Sequence, residues 1–192
     1  AGPEVMRRVG AALAELHRGV VPAVRRHSLD DELRTLRERL EPLRERFGAG
    51  PMQRLLEGCE ALSHGLCADE PVSVHRDFHP DQVLGDGERE RVTFLDLDLY
   101  AESHSALDAG NFVAHLTEQA LRRLGGVTRL RACEDSFVEG YRSCQDLPNG
   151  ALTGWTTLAL VRLAGLSVAL RGRGHTSGAL LALCEERLGI RS

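Results

Sequence analysis

The sequence predicts an α+β fold that is mostly α-helical, in one domain over residues 1–192, on three observations. Residues 1–70 carry apolar side chains at the spacing of amphipathic helices. Residues 71–99 replace that spacing with short β-branched runs and turn signals, and residues 106–192 return to helical spacing. A length of 192 residues is typical of one compact domain rather than two.

Three helices are predicted in the first region. The first covers residues 4–18, where one apolar stripe contains Val5, Val9, Leu13 and Leu16. Ser28 followed by Asp31 is typical of a helix N-terminus, and Pro42 is expected to kink or split the second helix that begins there. Proline also suits the first position of the third helix, predicted over residues 51–67.

The middle region predicts three short strands, and the last region predicts four helices. The strands are the runs PVSVHR, QVLG and RVTFLDLDL, and DGERE, which includes Asp86, is expected to form the hairpin turn between the last two. Glycine- and proline-containing segments separate helices predicted over residues 106–124, 127–144, 151–170 and 177–188. The apolar run 156–170 is short and contains Arg162, so it is interpreted as a core helix rather than a membrane span.

The composition excludes several classes of protein. All 24 basic side chains are arginine, so the 192 residues contain no lysine. A P-loop needs a lysine beside the phosphates, and Schiff-base or pyridoxal phosphate chemistry needs a lysine amine, so both are excluded. The net charge of −4 argues against a nucleic-acid partner, which would require a basic patch, and it is compatible with a cationic substrate.

The cysteines and the absence of targeting signals predict a cytoplasmic protein with no membrane partner. Five cysteines form an odd set without a CxxC pair, which favours free thiols in a reducing compartment over disulfides or a zinc site. The sequence contains neither an apolar run long enough to span a bilayer nor a signal-like N-terminus.

The segment V-H-R-D-F-H-P-D-Q-V-L, at residues 74–84, carries the most informative chemistry. Asp77 follows a predicted strand, and Gln82 comes five residues later. Asp96 ends the next apolar strand, and Asp98 is two residues beyond it. These side chains are expected to converge, and carboxylates so close repel unless a cation joins them or one is protonated. Oxygen ligands with open coordination positions suit Mg²⁺, which prefers one or two carboxylates plus phosphate oxygens.

The same segment matches the pattern H-x-D-x-x-P-x-N followed by an apolar strand ending in Asp, which resembles the aminoglycoside phosphotransferase and choline kinase family. AALAELHR at 11–18, LDAGNF at 107–112 and FVEGYR at 137–142 are similar to further helices of that family. The resemblance implies the C-terminal lobe of a protein-kinase-like fold, with a small β-hairpin carrying the catalytic and metal loops. It also implies transfer of the ATP γ-phosphate to a hydroxyl of a small molecule, for example an aminoglycoside-type antibiotic.

The resemblance also implies roles for individual residues. Asp77 is expected to be the catalytic base, and Gln82 and Asp96 are expected to bind Mg²⁺. The family usually has asparagine where this chain has Gln82, whose amide is one methylene further from the backbone. Residues that bind the acceptor are not identified.

Further residues are expected to support this site. His75 is expected to hold the loop by hydrogen bonding, and Asp98 either binds the metal or supports its ligands. Asp108 is expected to cap the following helix, with its carboxylate tied to the catalytic loop. Glu134 and Asp135 are interpreted as a solvated face rather than as contacts to a cationic substrate. The histidines interpreted as structural or surface residues are His17, His27, His64, His104, His115 and His175.

Two alternatives to a small-molecule kinase remain. A protein kinase fits HRDxxPxxVL, but the segment LDLYAESHSALD after Asp96 lacks both a Phe-Gly pair and an Ala-Pro-Glu segment, and His79 favours the small-molecule branch. A pseudokinase-like binding or regulatory domain is suggested by Gln82 and by the expected absence of the N-terminal nucleotide lobe. We expect the chain alone to be a poor or inactive kinase whose missing lobe is supplied in cis or in trans.

Overall fold

A computed structural model describes residues 2–19, 21–66, 71–86, 91–169 and 174–190. Within these ranges the chain forms eight α-helices and four short strands, so the mostly helical prediction is confirmed. The helices are α1 (Pro3–Arg18), α2 (Leu29–Leu40), α3 (Leu43–Phe47), α4 (Ala49–Ser63), α5 (Ala106–Leu124), α6 (Arg131–Arg142), α7 (Asn149–Ala169) and α8 (Ser177–Arg187). The strands are β1 (Val72–Val74), β2 (Val83–Asp86), β3 (Arg91–Phe94) and β4 (Ala101–Ser103).

Some predictions fall on residues outside the described ranges, namely the hairpin turn at residues 87–90 and the helix end at residue 170. The third helix was predicted over residues 51–67 with Pro51 at its first position, but α4 begins at Ala49 and ends at Ser63, so Pro51 is its third residue. Asp86 itself is the last residue of β2 and pairs with Arg91, so its backbone belongs to the strand and not to the turn.

The N-terminus of α2 shows how side chains fix a helix boundary. Ser28 Oγ accepts a hydrogen bond from the Asp31 backbone N–H (3.2 Å), and Asp31 Oδ2 accepts one from the Ser28 backbone N–H (2.9 Å). This reciprocal cap confirms the predicted start of the second helix. The hydrogen bonds from Ser28 also lower the pKa of Asp31 well below its ordinary value. Pro42 splits the predicted helix as expected, because α2 ends at Leu40 and α3 begins one residue after the proline.

Helices α1 and α6 pack closely through two glycines. A Cβ atom on Gly10 would lie 2.0 Å from the Phe137 carbonyl oxygen, and one on Gly140 would lie 1.9 Å from that of Arg7. No side chain fits at either position, so the two helix backbones approach directly. The predicted stripe of α1 needs one correction, because Met6 is buried while Val5 is 36% exposed.

Helix α7 is the central helix of the core. It packs against α5, α2 and α8, and its residues from 154 to 161 are all buried. By length and composition it is the one helix in the described ranges that could cross a membrane, but 67% of its most apolar stretch within Asn149–Val168 is buried inside the fold. This burial agrees with the interpretation of the helix as part of the core.

The strands form two antiparallel pairs rather than the single hairpin that was predicted. The predicted hairpin is β2–β3, in which Val83 pairs with Phe94. The second pair is β1–β4, in which Val74 pairs with Ala101. Strand β4 escaped the prediction because Ala-Glu-Ser carries no β-branched or aromatic residue, and its partner is distant in the sequence.

A group of phenylalanine rings connects the strands to the helices. Phe78 is fully buried and contacts Phe112 of α5 (5.1 Å between ring centroids) and Phe94 of β3 (4.9 Å). Phe112 in turn stacks on Phe137 of α6 at 4.3 Å. Phe78 lies immediately after Asp77, so the hydrophobic core holds the segment that carries the candidate base.

Candidate active site

The 75–79 loop (residues 75–79) follows β1 and is held by one buried carboxylate. Asp108, in the first turn of α5, accepts hydrogen bonds from the backbone N–H of His75 through Oδ2 (2.6 Å) and from that of Arg76 through Oδ1 (2.8 Å). The expectation that Asp108 caps α5 is wrong, because Ser105 is the N-cap residue and Asp108 lies inside the first turn. The tie from Asp108 to the loop, which was expected together with the cap, is confirmed by these hydrogen bonds.

Asp108 also connects the loop to α1 and α6. His17 Nε2 lies 3.0 Å from Asp108 Oδ2, and His17 Nδ1 lies 2.8 Å from the Tyr141 hydroxyl. Because the carboxylate can only accept, His17 donates to it through Nε2, which leaves Nδ1 as the nitrogen that shares a hydrogen bond with the Tyr141 hydroxyl. Burial raises the pKa of Tyr141, which keeps this hydroxyl protonated as a donor.

The loop contains a strained backbone position. Arg76 has φ of 75°, in the left-handed region that residues with a side chain rarely adopt. Such strain costs about 1–3 kcal/mol and persists where the surroundings fix the conformation. Asp108 supplies that constraint, because it binds the backbone N–H groups of two consecutive residues, His75 and the strained Arg76. Arg76 directly precedes Asp77, so its backbone conformation sets the direction of the Asp77 side chain.

A second tether reaches the loop from a buried polar network. Asn111 Nδ2 donates to the Phe78 carbonyl oxygen (2.9 Å), and Arg162 Nη2 donates to Asn111 Oδ1 (2.5 Å). Glu32 lies 3.6 Å from Arg162 Nε and accepts from His27 Nε2 (3.1 Å). Burial alone would raise the pKa of Glu32, but the hydrogen bond from His27 and the charge of Arg162 outweigh it and lower that pKa.

Asp77, the predicted base, is 42% exposed at the side chain and faces a histidine. Its Oδ2 lies 3.7 Å from His79 Nε2. The His79 ring stacks on His115 of α5, with 4.7 Å between centroids and an interplanar angle of 16°. Asp77 is thus an accessible carboxylate, and its neighbour His79 is held in place by stacking on His115 of α5.

Gln82 and Asp96, the predicted metal ligands, lie side by side. Gln82 Nε2 donates to Asp96 Oδ2 at 3.4 Å. The β2–β3 pairing brings them together, because the backbone N–H of Leu95 donates to the Gln82 carbonyl oxygen (2.9 Å). Asp96 has φ of 57°, a left-handed conformation that aspartate tolerates better than most residues, and lies two residues beyond the end of β3.

His75 links the two loops as predicted. Its side chain is completely buried, and Nε2 donates to the carbonyl oxygen of Leu95 (2.7 Å), the residue before Asp96. Its backbone N–H is one of the groups bound by Asp108. One residue therefore fixes the position of the Asp96 segment relative to the 75–79 loop.

Asp98 does not extend the Gln82–Asp96 pair into a larger acidic cluster. Its side chain is exposed in the 97–99 turn, and its backbone carbonyl accepts from Arg25 Nη1 (2.7 Å). Within the described ranges no three His, Cys, Asp or Glu side chains form a group that could hold a metal. Gln82 and Asp96 nevertheless fit Mg²⁺, which accepts two oxygen ligands from a protein and completes its shell with phosphate oxygens and water.

Glu134 differs from its interpretation as part of a solvated face. It is buried on α6, where Oε1 accepts from the Thr117 hydroxyl at 2.8 Å. Burial raises its pKa, although Thr117 and Arg131 oppose that effect. Its neighbour Asp135 is exposed, 3.6 Å from Arg131 Nε.

Comparison with known sequences identifies the family of this chain. The sequence profile of the phosphotransferase enzyme family matches residues 2–147, most of the chain. The chain belongs to the phosphotransferase enzyme family. This confirms the resemblance that was inferred from the 74–84 segment. No curated protein matches the sequence significantly.

Solved structures of other phosphotransferases have a similar fold. A glucosamine kinase shares 21% identity with a TM-score of 0.64 over 97% of this chain and 53% of its own, and its complex with glucosamine, ADP and inorganic phosphate aligns with a TM-score of 0.61. Choline kinase LicA from Streptococcus pneumoniae shares 12% identity with a TM-score of 0.71, over 98% of this chain and 64% of its own. An aminoglycoside-3'-phosphotransferase of type VIII shares 19% identity with a TM-score of 0.57, over 83% and 60%. The chain thus spans 53–64% of the length of these proteins.

Sequence reasoning missed several contacts that build this candidate site. His17 and His115 were interpreted as structural or surface residues. His17 is structural, through its hydrogen bond to Asp108, but neither this partner nor the stacking of His115 on His79 was predicted. A usable signal was present on α5, where Asp108, Asn111 and His115 recur at helical spacing and therefore share one face. Polar side chains on the buried face of a helix require partners, and here the partners are in the 75–79 loop or its neighbours.

Proposed function

We propose that this phosphotransferase transfers the γ-phosphate of ATP to a hydroxyl of a small molecule in a Mg²⁺-dependent reaction, with Asp77 as the base. The observation that carries the proposal is the accessible Asp77 carboxylate on a strained loop held by Asp108 and Asn111. A base must be positioned before it can act, and the two tethers supply that positioning. Asp77 would orient the acceptor hydroxyl and take its proton.

Gln82 and Asp96 are the residues that we propose to hold Mg²⁺. They are adjacent oxygen-bearing side chains, and Gln82 presents its carbonyl oxygen to a cation once its amide turns around. Bound Mg²⁺ would neutralise the phosphate charge that develops during transfer. The complex of the related glucosamine kinase with ADP supports nucleotide use by this family.

We propose an acceptor that carries a cationic amine. Glucosamine, choline and aminoglycosides, named for the three kinases of similar fold, share that group. An aminoglycoside-type antibiotic is therefore one candidate among amine-bearing alcohols. The chain covers only part of the length of those kinases, so we place full activity in a protein that also supplies a nucleotide-binding lobe, in the same chain or in a partner.

A pseudokinase-like binding or regulatory domain is the second candidate. The observation in its favour is Gln82, which stands where the family usually has asparagine. Its side chain is one methylene longer and places Nε2 3.4 Å from Asp96 Oδ2. Such a protein would bind Mg²⁺ and ATP without transferring phosphate. Turnover therefore separates the two candidates.

The test uses the full-length protein and its Asp77→Asn, Asp96→Ala and Asp30→Asn variants. Phosphate transfer from ATP is measured with glucosamine, choline, an aminoglycoside and water as acceptors, and nucleotide binding is measured by calorimetry with and without Mg²⁺. Asp77→Asn should lower turnover by at least about a hundredfold and keep Mg²⁺-dependent ATP binding, because a general base contributes that much or more. Asp96→Ala should lose both, and the exposed Asp30→Asn should resemble the parent protein.

Two outcomes would contradict the proposal. Near-normal turnover by Asp77→Asn would show that another group accepts the proton. Tight Mg²⁺-dependent ATP binding by the parent protein with no turnover on any acceptor would establish the pseudokinase-like candidate instead.

A further inference from the structure

A pocket of about 210 Å³ opens beside Asp77, between the 75–79 loop, α5 and α7. Its lining includes Asp77, His79, His115, Glu118, Leu163 and Leu166. The base and the imidazole of His79 thus face the same space. A small polar molecule in this pocket would meet both side chains.

We propose that His79 binds the acceptor hydroxyl, donating from Nε2–H to the hydroxyl oxygen while Asp77 takes the hydroxyl proton. This inference rests on the proposed function and assigns a second residue to the same step. His115 acts as a positioning residue, because it fixes the plane of the His79 ring.

The protonation pattern of His79 follows from its backbone contact. His79 Nδ1 accepts a hydrogen bond from the Asp81 backbone N–H at 3.3 Å, as the cap of the 80–82 turn. A neutral imidazole that accepts through one nitrogen carries its proton on the other. Nε2 is therefore the donor, and it is the nitrogen that faces Asp77.

The distance between the two side chains leaves room for a third atom. Nε2 and Asp77 Oδ2 are 3.7 Å apart, which is too long for a direct hydrogen bond. An oxygen placed about 2.8 Å from each of them satisfies both as hydrogen-bond partners. A hydroxyl suits this position, because it donates its hydrogen to Asp77, accepts from His79, and keeps one lone pair for phosphorus.

The chemical step balances with these two residues. The hydroxyl O–H bond breaks and its proton passes to the Asp77 carboxylate, while the oxygen forms a bond to the γ-phosphorus of ATP. The bond from that phosphorus to the bridging oxygen breaks, and its electron pair leaves with ADP. His79 keeps its own proton throughout, so its contribution is orientation of the nucleophile.

Helix α5 explains why the His79 ring stays in place. His115 stacks nearly parallel to it, 4.7 Å between centroids at 16°. His115 lies on the helix face that also carries Asp108 and Asn111, which hold the loop by hydrogen bonds. The backbone of the 75–79 loop and the imidazole of His79 are therefore both positioned by helix α5. Precise orientation of reacting groups requires such rigid support.

The test compares two substitutions of His79 in the full-length protein. His79→Phe keeps a planar ring against His115 and removes the donor, whereas His79→Gln restores an N–H donor at similar reach. ATP turnover is measured with glucosamine and with water as acceptors, together with KM for ATP and the melting temperature. We expect His79→Phe to lower kcat about ten- to hundredfold with unchanged KM for ATP, the effect of one hydrogen bond in the transition state. His79→Gln should recover a substantial part of that loss.

Three results would overturn the inference. Parental kcat in His79→Phe would show that Nε2–H makes no contribution. Equal losses in both variants together with a raised KM for ATP would show that His79 only caps the 80–82 turn beside Gln82. If the parent protein transfers no phosphate from ATP to any acceptor, the proposed function fails and this inference fails with it, whereas an active parent isolates the role of His79.

Discussion

Asp108 is a single residue on which the position of the 75–79 loop depends. Its two carboxylate oxygens bind the backbone of His75 and Arg76 and the side chain of His17, and the residue is completely buried. No water can replace these bonds at such a site, so the carboxylate must satisfy every donor itself. The Asp108 side chain thus holds the backbone of the 75–79 loop, including the strained Arg76, and joins this loop to α1 and α6 through His17.

Replacing Asp108 with asparagine should therefore lower both stability and activity. Asparagine keeps one acceptor oxygen, so one N–H group of the loop faces an NH₂ group and is left unsatisfied. We expect the free energy of unfolding to fall by about 1–3 kcal/mol in urea titrations. Asp135→Asn, at an exposed position on α6, serves as the control and should change stability by less than about 0.5 kcal/mol. A change below that limit in Asp108→Asn would contradict this account of the loop.

At the scale of elements, the crossing of α1 and α6 depends on the absence of two side chains. Gly10 and Gly140 each face the backbone of the opposite helix. The close approach places His17 of α1 and Tyr141 of α6 within hydrogen-bonding distance beneath Asp108. The packing of α1 on α6, two helices far apart in the sequence, thus positions the hydrogen-bonded series from Tyr141 through His17 to Asp108, next to the candidate site.

Gly10→Ala and Gly140→Ala should each destabilise the protein. The new methyl group would require the helices to separate, and overpacking of this kind costs about 1–3 kcal/mol or more. Gly150→Ala is the matched control, because it lies in the first turn of α7 and an added Cβ would meet no atom within 4 Å. That change should be neutral or stabilise by up to about 1 kcal/mol. Thermal and urea unfolding measure all three, and equal stability of Gly10→Ala and Gly150→Ala would refute the packing argument.

Local sequence signals determined most of the elements. Helix α5 was predicted at residues 106–124 and has those bounds, because Gly125 adopts the left-handed C-cap conformation. Strand β4 was missed because its partner β1 is far away in the sequence. Short strands stabilised only by a distant partner have no local pattern that reveals them.

At the scale of the whole molecule, the sequence named the candidate residues but not the contacts between them. Asp77, Gln82 and Asp96 follow from one motif, and the structure brings the latter two together. The contact between His17 and Asp108 joins residues 91 positions apart, and the His79–His115 stack joins a loop to a helix. Such contacts depend on how helices pack, which the spacing of residues within one helix does not specify.

The stability of the whole molecule should depend on pH through Glu134. Burial raises the pKa of this carboxyl in the folded protein, so the folded state binds the proton more tightly than the unfolded chain does. Its stabilising contribution is complete below the unfolded pKa of about 4.3 and is lost as pH rises through the higher folded pKa.

The variant Glu134→Gln removes this titration. Compared by urea unfolding from pH 4 to pH 7, the variant should become progressively more stable relative to the parent protein as pH rises. The expected divergence reflects the cost of a buried ionised carboxylate in the parent. If the difference in unfolding free energy between variant and parent stays constant from pH 4 to pH 7, Glu134 is not the source of the pH-dependent stability.

The shared face of α5 has a consequence for changing the pocket beside Asp77 by mutation. The first turns of the helix hold the loop through Asp108 and Asn111, whereas Glu118 and Gln119, further along, line the pocket beside Asp77. Under the proposed function, mutational libraries directed at residues 118 and 119 would therefore vary the pocket while the 75–79 loop keeps its supports. Helix α5 carries the supports of the loop and part of the pocket lining within about three turns.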